Sequence, residues 1–345
     1  MGTIVGVDIG SNAVRAVEVS GYDTAKPVIT RQHEIALPDT SVRRGEVVEG
    51  GTVTTALRRL WSSGSFTTKD VVLGLSGPRI FARDLVVPKM PLAQIRESLP
   101  FQVQDLLPVP VSDALLDFYP IAEEQGEQGP AVRGMLVAAI KEAVDANVSA
   151  VLGAGLRPVH VDLLAFALTR ALAPRRTAQG RDVIVSIGAS TTDIVVVDDG
   201  VPHFVRTLPN GGDDVTHALA ARLQITPEQA ENAKRLVGMG GPLMRAEDRP
   251  ALEVIYEVVG ELLNAIRSTL SYFGTSKPEE MPRRILLSGG GALMLGLPTA
   301  LSEVTGLPVV VAEPFQGVQR ARTARDAGPQ HAFTAAYGLA LGSHS

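Results

Sequence analysis

Four glycine-containing segments of this 345-residue chain hold most of the side chains that could do chemistry together. The first segment contains Asp8, Gly10, Ser11, Asn12 and Arg15. Within one tight turn it would present a carboxylate, bare backbone, hydroxyl and amide donors, and a fixed cation. Successive backbone N–H groups in such a turn form a concave site for a phosphate group. Asp8 would hold Mg²⁺ beside that phosphate through water, because Mg²⁺ keeps much of its hydration.

The first segment recurs later in the chain. Residues 5–19 align without a gap on residues 183–197, 178 positions further on, and six of the fifteen pairs are identical. Each copy has the pattern of a strand, a turn of small residues and a second strand, which predicts a β-hairpin. The second turn contains Gly188, Ala189, Ser190 and Thr191. A spacing this long is not a solenoid period, so it predicts two similar lobes whose turns face each other across a cleft.

Two further segments could complete such a cleft. Gly211 and Gly212 precede a helix expected from about Val215, and the N-terminal amides of that helix could add to a phosphate site. An ordinary loop with an Asp N-cap explains the same residues equally well. The fourth segment ends an apolar strand in three glycines, which would leave room for a flat base or a ribose. It contains Gly289, Gly290, Gly291, Ala292 and Leu293.

The composition excludes several classes of protein. The chain has no cysteine, which excludes disulfides, thiolate zinc sites, iron–sulfur clusters and a cysteine nucleophile. Its 32 basic and 37 acidic residues give a net charge of −5, so no overall field attracts nucleic acid or anionic lipid. Neither a P-loop nor a dinucleotide-binding glycine motif is present. No apolar run approaches the roughly 18 residues of a membrane helix. We therefore expect no nucleic acid partner, no signal peptide and no direct membrane insertion.

The elements that must position these segments divide the chain into two lobes, one of which carries an insertion. In the second lobe, Thr226, Pro227 and Gln229 form a capping-box pattern that predicts the start of a helix. The expected division is a first-lobe core in residues 1–84, 162–180 and 326–345, an inserted α/β unit in 85–161, a second-lobe core in 181–212 and 285–325, and a helical subdomain in 213–284.

The order of these segments resembles that of the actin-like ATPase superfamily, which includes actin, sugar kinases, heat-shock chaperones and the bacterial cell-division protein FtsA. The resemblance implies an α/β, ribonuclease H-like fold of two lobes, with ATP and Mg²⁺ in the cleft between them. In that superfamily the two hairpins are the phosphate motifs, and Gly211-Gly212 lies in the connecting motif. Residues 288–293 match the adenosine motif, and residues 335–338 match the second connecting helix. Glu231 and Lys234 resemble the Glu-x-x-Lys segment that contacts the nucleoside in the chaperones.

The inserted region resembles the PilM family of type IV pilus assembly proteins. The match rests on residues 86–91, 101–108 and 116–119. FtsA carries a related insertion but also a C-terminal amphipathic membrane helix, which has no counterpart here. The PilM resemblance implies a cytoplasmic ATP-binding adaptor at the inner membrane. It would bind the cytoplasmic N-terminal segment of the membrane protein PilN in a groove between the first lobe and the insertion, within residues 85–118. Other pilus platform proteins and motor ATPases would be further partners.

One position departs from the superfamily pattern. The second phosphate motif usually begins with an Asp where this chain has Ser186, and a hydroxyl supplies no negative charge and is a poor base. Arg15 also replaces the Lys of actin and keeps its positive charge. Asp162 is the remaining candidate for a catalytic residue, so we expect slow ATP hydrolysis or none. An FtsA-like filament former and a small-molecule kinase of the same fold stay open as alternatives.

Overall fold

The computed structural model describes residues 2–126, 129–175, 179–240, 245–276, 280–324 and 328–342. The strands are β1 (Thr3–Ile9), β2 (Ala13–Ser20), β3 (Val28–Ala36), β4 (Val42–Arg43), β5 (Glu46–Val47), β6 (Asp70–Leu75), β7 (Ile80–Pro88), β8 (Ala114–Gly126), β9 (Gly129–Ile140), β10 (Arg157–Leu163), β11 (Arg181–Ile187), β12 (Thr192–Asp198), β13 (Val201–Leu208), β14 (Ile285–Ser288), β15 (Val309–Val311) and β16 (Gln319–Arg320). The helices are α1 (Gly50–Gly64), α2 (Leu92–Gln102), α3 (Lys141–Gly153), α4 (Leu164–Leu172), α5 (Gly212–Leu223), α6 (Pro227–Val237), α7 (Arg249–Ser276), α8 (Leu297–Thr305) and α9 (Thr334–Ala340). Within these ranges, no helix combines the length and the apolar character that a bilayer crossing requires.

Two sheets with the same central topology form the two lobes. The first has six strands in the order β10-β6-β1-β2-β3-β16, and the second has five in the order β13-β12-β11-β14-β15. In each sheet an antiparallel hairpin, β1–β2 or β11–β12, has a third antiparallel strand on one side and a parallel strand on the other. The repeat in the sequence is therefore a repeat of structure, and the two-lobed α/β fold is confirmed.

Helices cover both faces of each sheet, which explains why the central strands are rich in buried Val and Ile. On the first sheet, α1 and α3 pack on one face and α9 packs on the other. On the second sheet, α5 to α8 pack on one face and α4 packs on the other. Helix α9 on the first sheet and helix α4 on the second also contact each other, so these two helices form the layer between the lobes.

Helix α9 approaches its neighbours at backbone distance. A Cβ atom at Gly6 of β1 would lie 1.9 Å from the carbonyl oxygen of Ala336 in α9. On the other side of the helix, a Cβ atom at Gly338 would lie 1.9 Å from the carbonyl oxygen of Ala167 in α4. Thr334, the first residue of α9, shares a buried hydrogen bond of 3.1 Å with Ser288 at the end of β14. Glycine at two positions thus lets one helix contact both lobes.

The insertion forms a separate sheet in the order β7-β9-β8. Helix α2 packs on this sheet through Ile95 and Leu99, in a core that includes Phe118. Tyr119 of β8 attaches the sheet to the rest of the protein. Its ring centroid lies 4.9 Å from that of Phe166 in α4, and its hydroxyl accepts a hydrogen bond of 2.6 Å from Arg175. The inserted sheet therefore rests on one of the two helices between the lobes.

The separate sheet is smaller than the unit expected in residues 85–161. Strand β10 pairs in parallel with β6 and is the edge of the first-lobe sheet. Helix α3 packs on α1, where Thr54 Oγ1 donates a hydrogen bond of 3.1 Å to the carbonyl oxygen of Ala150. The independent sheet thus covers residues 80–140, and the chain then returns to the first lobe.

The substitution Gly338→Ala tests the close packing of α9. The new Cβ atom would meet a carbonyl oxygen at 1.9 Å, so we expect the free energy of unfolding to fall by roughly 1–3 kcal/mol or more. Gly260→Ala in α7 is the matched control, because a Cβ atom there meets nothing within 4 Å. We expect that control to raise the free energy of unfolding by up to about 1 kcal/mol. Urea unfolding followed by circular dichroism measures both, and equal effects would contradict the packing argument.

Candidate functional site

The two glycine turns face each other, as the repeat predicts. The same backbone hydrogen bond closes each turn, from Gly10 N to the Ala13 oxygen (3.1 Å) and from Gly188 N to the Thr191 oxygen (2.8 Å). The turns touch through Ser11 and Ser190, whose Oγ atoms lie 2.5 Å apart. The two hairpins therefore meet at the floor of the cleft between the lobes.

The Gly211-Gly212 segment is fixed to the second turn. Gly212 N donates to the Gly188 oxygen at 2.9 Å, and Asp213 N donates to the Ala189 oxygen at 2.8 Å. A Cβ atom at Gly211 would lie 2.5 Å from that Ala189 oxygen, so this approach requires glycine. The amides at positions 212 and 213 thus hold the second turn in place, whereas the sequence suggested that amides of this helix could face a phosphate.

A further contact joins this segment to the first turn. Asn12 Nδ2 donates a hydrogen bond of 2.8 Å to Asp213 Oδ1. Asp214 caps the same helix by accepting a hydrogen bond of 2.8 Å from Gly211 N. Three of the four glycine segments thus form one hydrogen-bonded group that includes side chains from both lobes.

Asp8 provides the first carboxylate of the cleft. It lies near the end of β1, directly across the hairpin from Arg15. Burial raises the pKa of Asp8 to about 6, the positive charge of Arg15 opposes that rise, and the negative charge of Asp193 adds to it. Arg15 also donates a hydrogen bond of 2.9 Å to Glu34 on β3, so it does not neutralise Asp8 alone. A cation that neutralised Asp8 would relieve this unfavourable charge.

Asp193 provides a second carboxylate, which our reading of the sequence missed as a site residue. It lies directly across the second hairpin from Ser186, and the repeat aligns it with Arg15. Its Oδ1 atom accepts hydrogen bonds from Ser76 Oγ (2.8 Å) and Thr207 Oγ1 (2.6 Å). Burial raises the pKa of Asp193, while those two hydroxyls lower it. The signal was present, because a residue opposite Ser186 in the hairpin points to the same side of the sheet.

These groups fit a hydrated Mg²⁺ ion. Mg²⁺ is usually bound in proteins by one or two carboxylates together with water and phosphate oxygens. Asp8 and Asp193 supply that number of carboxylates, one from each lobe. Among the residues that the structure describes, no group of three or more His, Cys, Asp or Glu side chains is arranged to hold a metal ion. The donor set thus suits an ion that keeps much of its water.

The triple glycine after β14 has one open position. A Cβ atom at Gly291 would lie 2.4 Å from Cγ2 of Ile187, and one at Gly289 would lie 2.4 Å from the Ile187 oxygen. Gly290, in contrast, meets nothing within 4 Å. Ala292 is buried, and Leu293 is half exposed. Gly289 and Gly291 therefore permit packing on β11, and Gly290 leaves open space beside the end of the strand.

Glu231 and Lys234 lie together on α6 and contact the start of α5. Lys234 Nζ lies 2.6 Å from Glu231 Oε2, 2.9 Å from Thr216 Oγ1 and 3.0 Å from the carbonyl oxygen of Gly212. Burial alone would raise the pKa of Glu231, but hydrogen bonds from Lys234, Thr216 and Arg235 outweigh it and lower the pKa to about 2. Glu231 is therefore a stable anion beside the Gly211-Gly212 segment.

Asp162 is not brought to the two turns. It lies near the end of the edge strand β10, with β6 between that strand and β1. Its carboxylate is bound by Arg170 of α4 and also accepts a hydrogen bond of 2.7 Å from Leu163 N. These contacts give Asp162 a role in holding β10 to α4.

A groove of about 800 Å³ runs beside the cleft. The inserted sheet contributes Phe81, Arg83 and Met135, and the second lobe contributes Phe204, Arg206 and Phe273. None of the residues that line this groove lies within 85–118, the range that the PilM resemblance implied for partner binding. Ser76, Asp193 and Thr207 also line it. The carboxylate of Asp193 and its two hydroxyl donors therefore belong to both the cleft floor and the groove wall.

The chain is similar to several curated cell-division proteins named FtsA. It is 26% identical to FtsA of Borreliella burgdorferi, over 47% of this chain and 42% of that protein. It is 29% identical to FtsA of Pseudomonas aeruginosa, over 38% of this chain and 36% of that protein. The matched region thus spans less than half the length of these relatives. With FtsA of Bacillus subtilis the identity is 21%, over 90% of this chain and 78% of that protein.

Solved structures are similar over almost the whole chain. A PilM–PilN type IV pilus biogenesis complex superposes with a TM-score of 0.85 and 27% identity, and the match covers 99% of this chain and 98% of that chain. An MreB protein of Spiroplasma citri bound to ADP superposes with a TM-score of 0.57 and 12% identity, over 97% and 94% of the two chains, which supports the actin-like fold alone. The family model described as type IV pilus assembly protein PilM matches residues 6–344, and the chain therefore belongs to the PilM family.

Proposed function

We propose that this PilM-family chain is an ATP-binding adaptor of a type IV pilus inner-membrane platform. ATP and Mg²⁺ bind in the cleft between the lobes, and the cytoplasmic N-terminal segment of a PilN-type membrane protein binds in the neighbouring groove. That partner holds the chain at the cytoplasmic face of the inner membrane. The observation that carries the proposal is the meeting of two glycine turns closed by the same backbone hydrogen bond, with one carboxylate behind each.

The turns hold the phosphates. Gly10 and Gly188 begin turns whose remaining backbone N–H groups, together with the hydroxyls of Ser11, Ser190 and Thr191, suit phosphate oxygens. The ribose and base extend along Glu231 and the open position at Gly290. When bound, the cation neutralises phosphate charge, and Asp8 and Asp193 hold it through its water molecules.

Hydrolysis is slow or absent, for a reason that lies in the second hairpin. Ser186 replaces the expected carboxylate and has no basic group to accept a proton from water. Asp193 lies opposite it, but its Oδ1 atom already accepts two hydroxyl hydrogen bonds. Among the described contacts, Oδ2 of Asp193 has no hydrogen bond, and this oxygen would hold the cation. A carboxylate that holds a cation is a poor proton acceptor, so Asp193 would not serve as a general base, and Ser186 has no basic group.

The groove suits an extended peptide with apolar side chains. About 800 Å³ is enough for several residues, and the insertion and the second lobe both contribute aromatic side chains to its lining. Arg83 and Arg206 add positive charge to the same walls, and Asp84 and Asp193 add negative charge. A similar solved structure is a complex of PilM with PilN, which supports a PilN-type segment as the occupant.

The first test of nucleotide binding is the substitution Asp8→Asn. With Mg·ATP at about 100 times its dissociation constant, the parent protein gains about 2.7 kcal/mol of stability. We expect Asp8→Asn to lose most of this gain, because the amide cannot supply the negative charge that holds Mg²⁺. Thermal unfolding with and without Mg·ATP measures the difference.

Glu257→Gln is the matched control for that experiment. Glu257 is an exposed carboxylate on α7, paired with Arg222 away from the two turns. We expect its response to Mg·ATP to equal that of the parent. A parent protein that gains no stability, or an Asp8→Asn variant that gains as much as the parent, would remove the cation role.

A second prediction concerns the stability of the protein without nucleotide or metal. The pKa of Asp8 is about 6 in the folded protein and 3.8 as a free side chain, so folding favours its protonated form. That contribution to stability is fully present below about pH 4 and is lost as the pH rises through 6. We therefore expect Asp8→Asn to exceed the parent in free energy of unfolding at pH 7 by on the order of 2 kcal/mol. The difference should shrink towards zero at pH 4, and urea unfolding across this range measures it; a constant difference would exclude Asp8 as the titrating group.

The partner groove is tested with Ala82→Trp. Ala82 of β7 lines the groove, so an indole ring there would occupy the space of a peptide side chain. We expect the affinity for a peptide copied from the PilN-type protein of the same organism to fall about tenfold or more. Ala221→Trp, on the exposed side of α5, is the control and should bind like the parent. Fluorescence anisotropy measures both, and normal binding by Ala82→Trp would place the peptide elsewhere.

A further inference from the structure

Lys234 uses all three of its ammonium donors within the protein. Its partners are Oε2 of Glu231 (2.6 Å), Oγ1 of Thr216 (2.9 Å) and the carbonyl oxygen of Gly212 (3.0 Å). An ammonium group has three N–H donors and no acceptor. The side chain is also only 12% exposed. In this arrangement Lys234 has no donor left for a nucleoside, although the family resemblance would place it against one.

The hydrogen bond from Lys234 fixes the carbonyl oxygen of Gly212 in the Gly211-Gly212 segment. Gly212 N donates to the Gly188 oxygen at 2.9 Å, while its own oxygen accepts from Lys234. A Cβ atom at Gly212 would lie 3.5 Å from Nζ, an ordinary contact distance, so the ammonium lies directly beside this residue. One peptide unit is thus fixed on one side by the second turn and on the other by Lys234.

The helix that carries Lys234 is itself well fixed. Thr226 and Gln229 form a reciprocal capping box at its start, with hydrogen bonds of 3.2 and 3.0 Å, as the sequence predicts. Ala230 is completely buried against the core of the second lobe. Glu231 is held by Thr216 Oγ1 at 2.7 Å as well as by Lys234. The lysine side chain therefore starts from a fixed helix, and three partners hold its ammonium group in place.

We propose that Lys234 is a positioning residue for the triphosphate: it fixes the Gly211-Gly212 segment, and through Gly188 the second turn, without touching the base. The inference rests on the proposed nucleotide-binding function. Charged hydrogen bonds with buried partners are among the stronger ones in proteins, and preorganised backbone donors bind an anion better than mobile donors do. Lys234 thereby affects the binding of the phosphates indirectly, through the Gly211-Gly212 segment and the second turn.

The test compares two ligands that share phosphates but not a base. Mg·ATP and Mg·tripolyphosphate are titrated into the parent and into Lys234→Met by isothermal calorimetry. We expect the variant to lose about tenfold in affinity for both ligands, so that the ratio of the two affinities stays as in the parent. Loss of ATP affinity with unchanged tripolyphosphate affinity would instead assign Lys234 to the nucleoside and overturn the proposal.

Two controls separate this role from a loss of folding. Arg235→Met removes the neighbouring cation, which binds the other oxygen of Glu231 and is 74% exposed, and should bind both ligands like the parent. The double variant Glu231→Gln/Lys234→Met leaves no unpaired buried charge. Because Glu231 lies along the proposed ribose site, this variant is tested with tripolyphosphate alone, and its affinity should fall as in Lys234→Met. Hydrogen exchange of the Gly212 and Asp213 amides should be faster in Lys234→Met without any ligand.

The other possible results also distinguish between the proposed role of Lys234 and its alternatives. A parent protein that binds ATP but not tripolyphosphate overturns the proposal, because the turns would then not be the part that Lys234 organises. Unchanged exchange at Gly212 and Asp213 in Lys234→Met overturns it as well. A parent protein that binds neither ligand overturns the nucleotide function itself, which is a different result from a change in ratio.

Discussion

At Gly6 and Gly338 no β-carbon fits between α9 and its neighbours, and the remaining architecture depends on that close approach. Gly6 lets β1 come against α9, and Gly338 lets α9 come against α4. Since β1 ends in the first turn and α4 packs on the second sheet, one short helix sets the distance between the lobes. The buried hydrogen bond that Ser288 Oγ donates to Thr334 Oγ1 extends the same contact to the strand that precedes the triple glycine. The packing of α9 between the two lobes therefore determines how far apart the walls of the cleft lie.

Charged side chains lie at two places around the cleft. The carboxylates of Asp8 and Asp193 lie at the floor, and burial makes both of them unfavourable as free anions. Behind the Gly211-Gly212 segment, in contrast, Glu231 and Lys234 neutralise each other. The groove beside the insertion shares Ser76, Asp193 and Thr207 with the floor. A single hydrogen-bonded carboxylate thus separates the two places where ligands are proposed to bind.

Local patterns were enough to predict the hairpins, because β-branched strands around a turn of small residues need no distant partner to be recognised. The capping box at Thr226 was predictable for the same reason. The extent of the insertion was not, since β10 belongs to the first sheet only through its pairing with the distant β6. Two of the three partners of Lys234 were not predictable either, because they lie 18 and 22 positions away on another helix. Asp193 was visible in the repeat but needed the pairing across the hairpin to be understood.

The two hairpins keep one backbone and exchange their side chains. Asp8 and Arg15 of the first correspond to Ser186 and Asp193 of the second. Two equal turns would offer the same surroundings to either end of a chain of phosphates, which could then lie in two directions with equal energy. The exchange removes this degeneracy, because one turn is backed by a carboxylate with a guanidinium and the other by a hydroxyl with a carboxylate. These four side chains therefore distinguish the two directions for the proposed phosphate ligand, while the two hairpins keep the same backbone pairing.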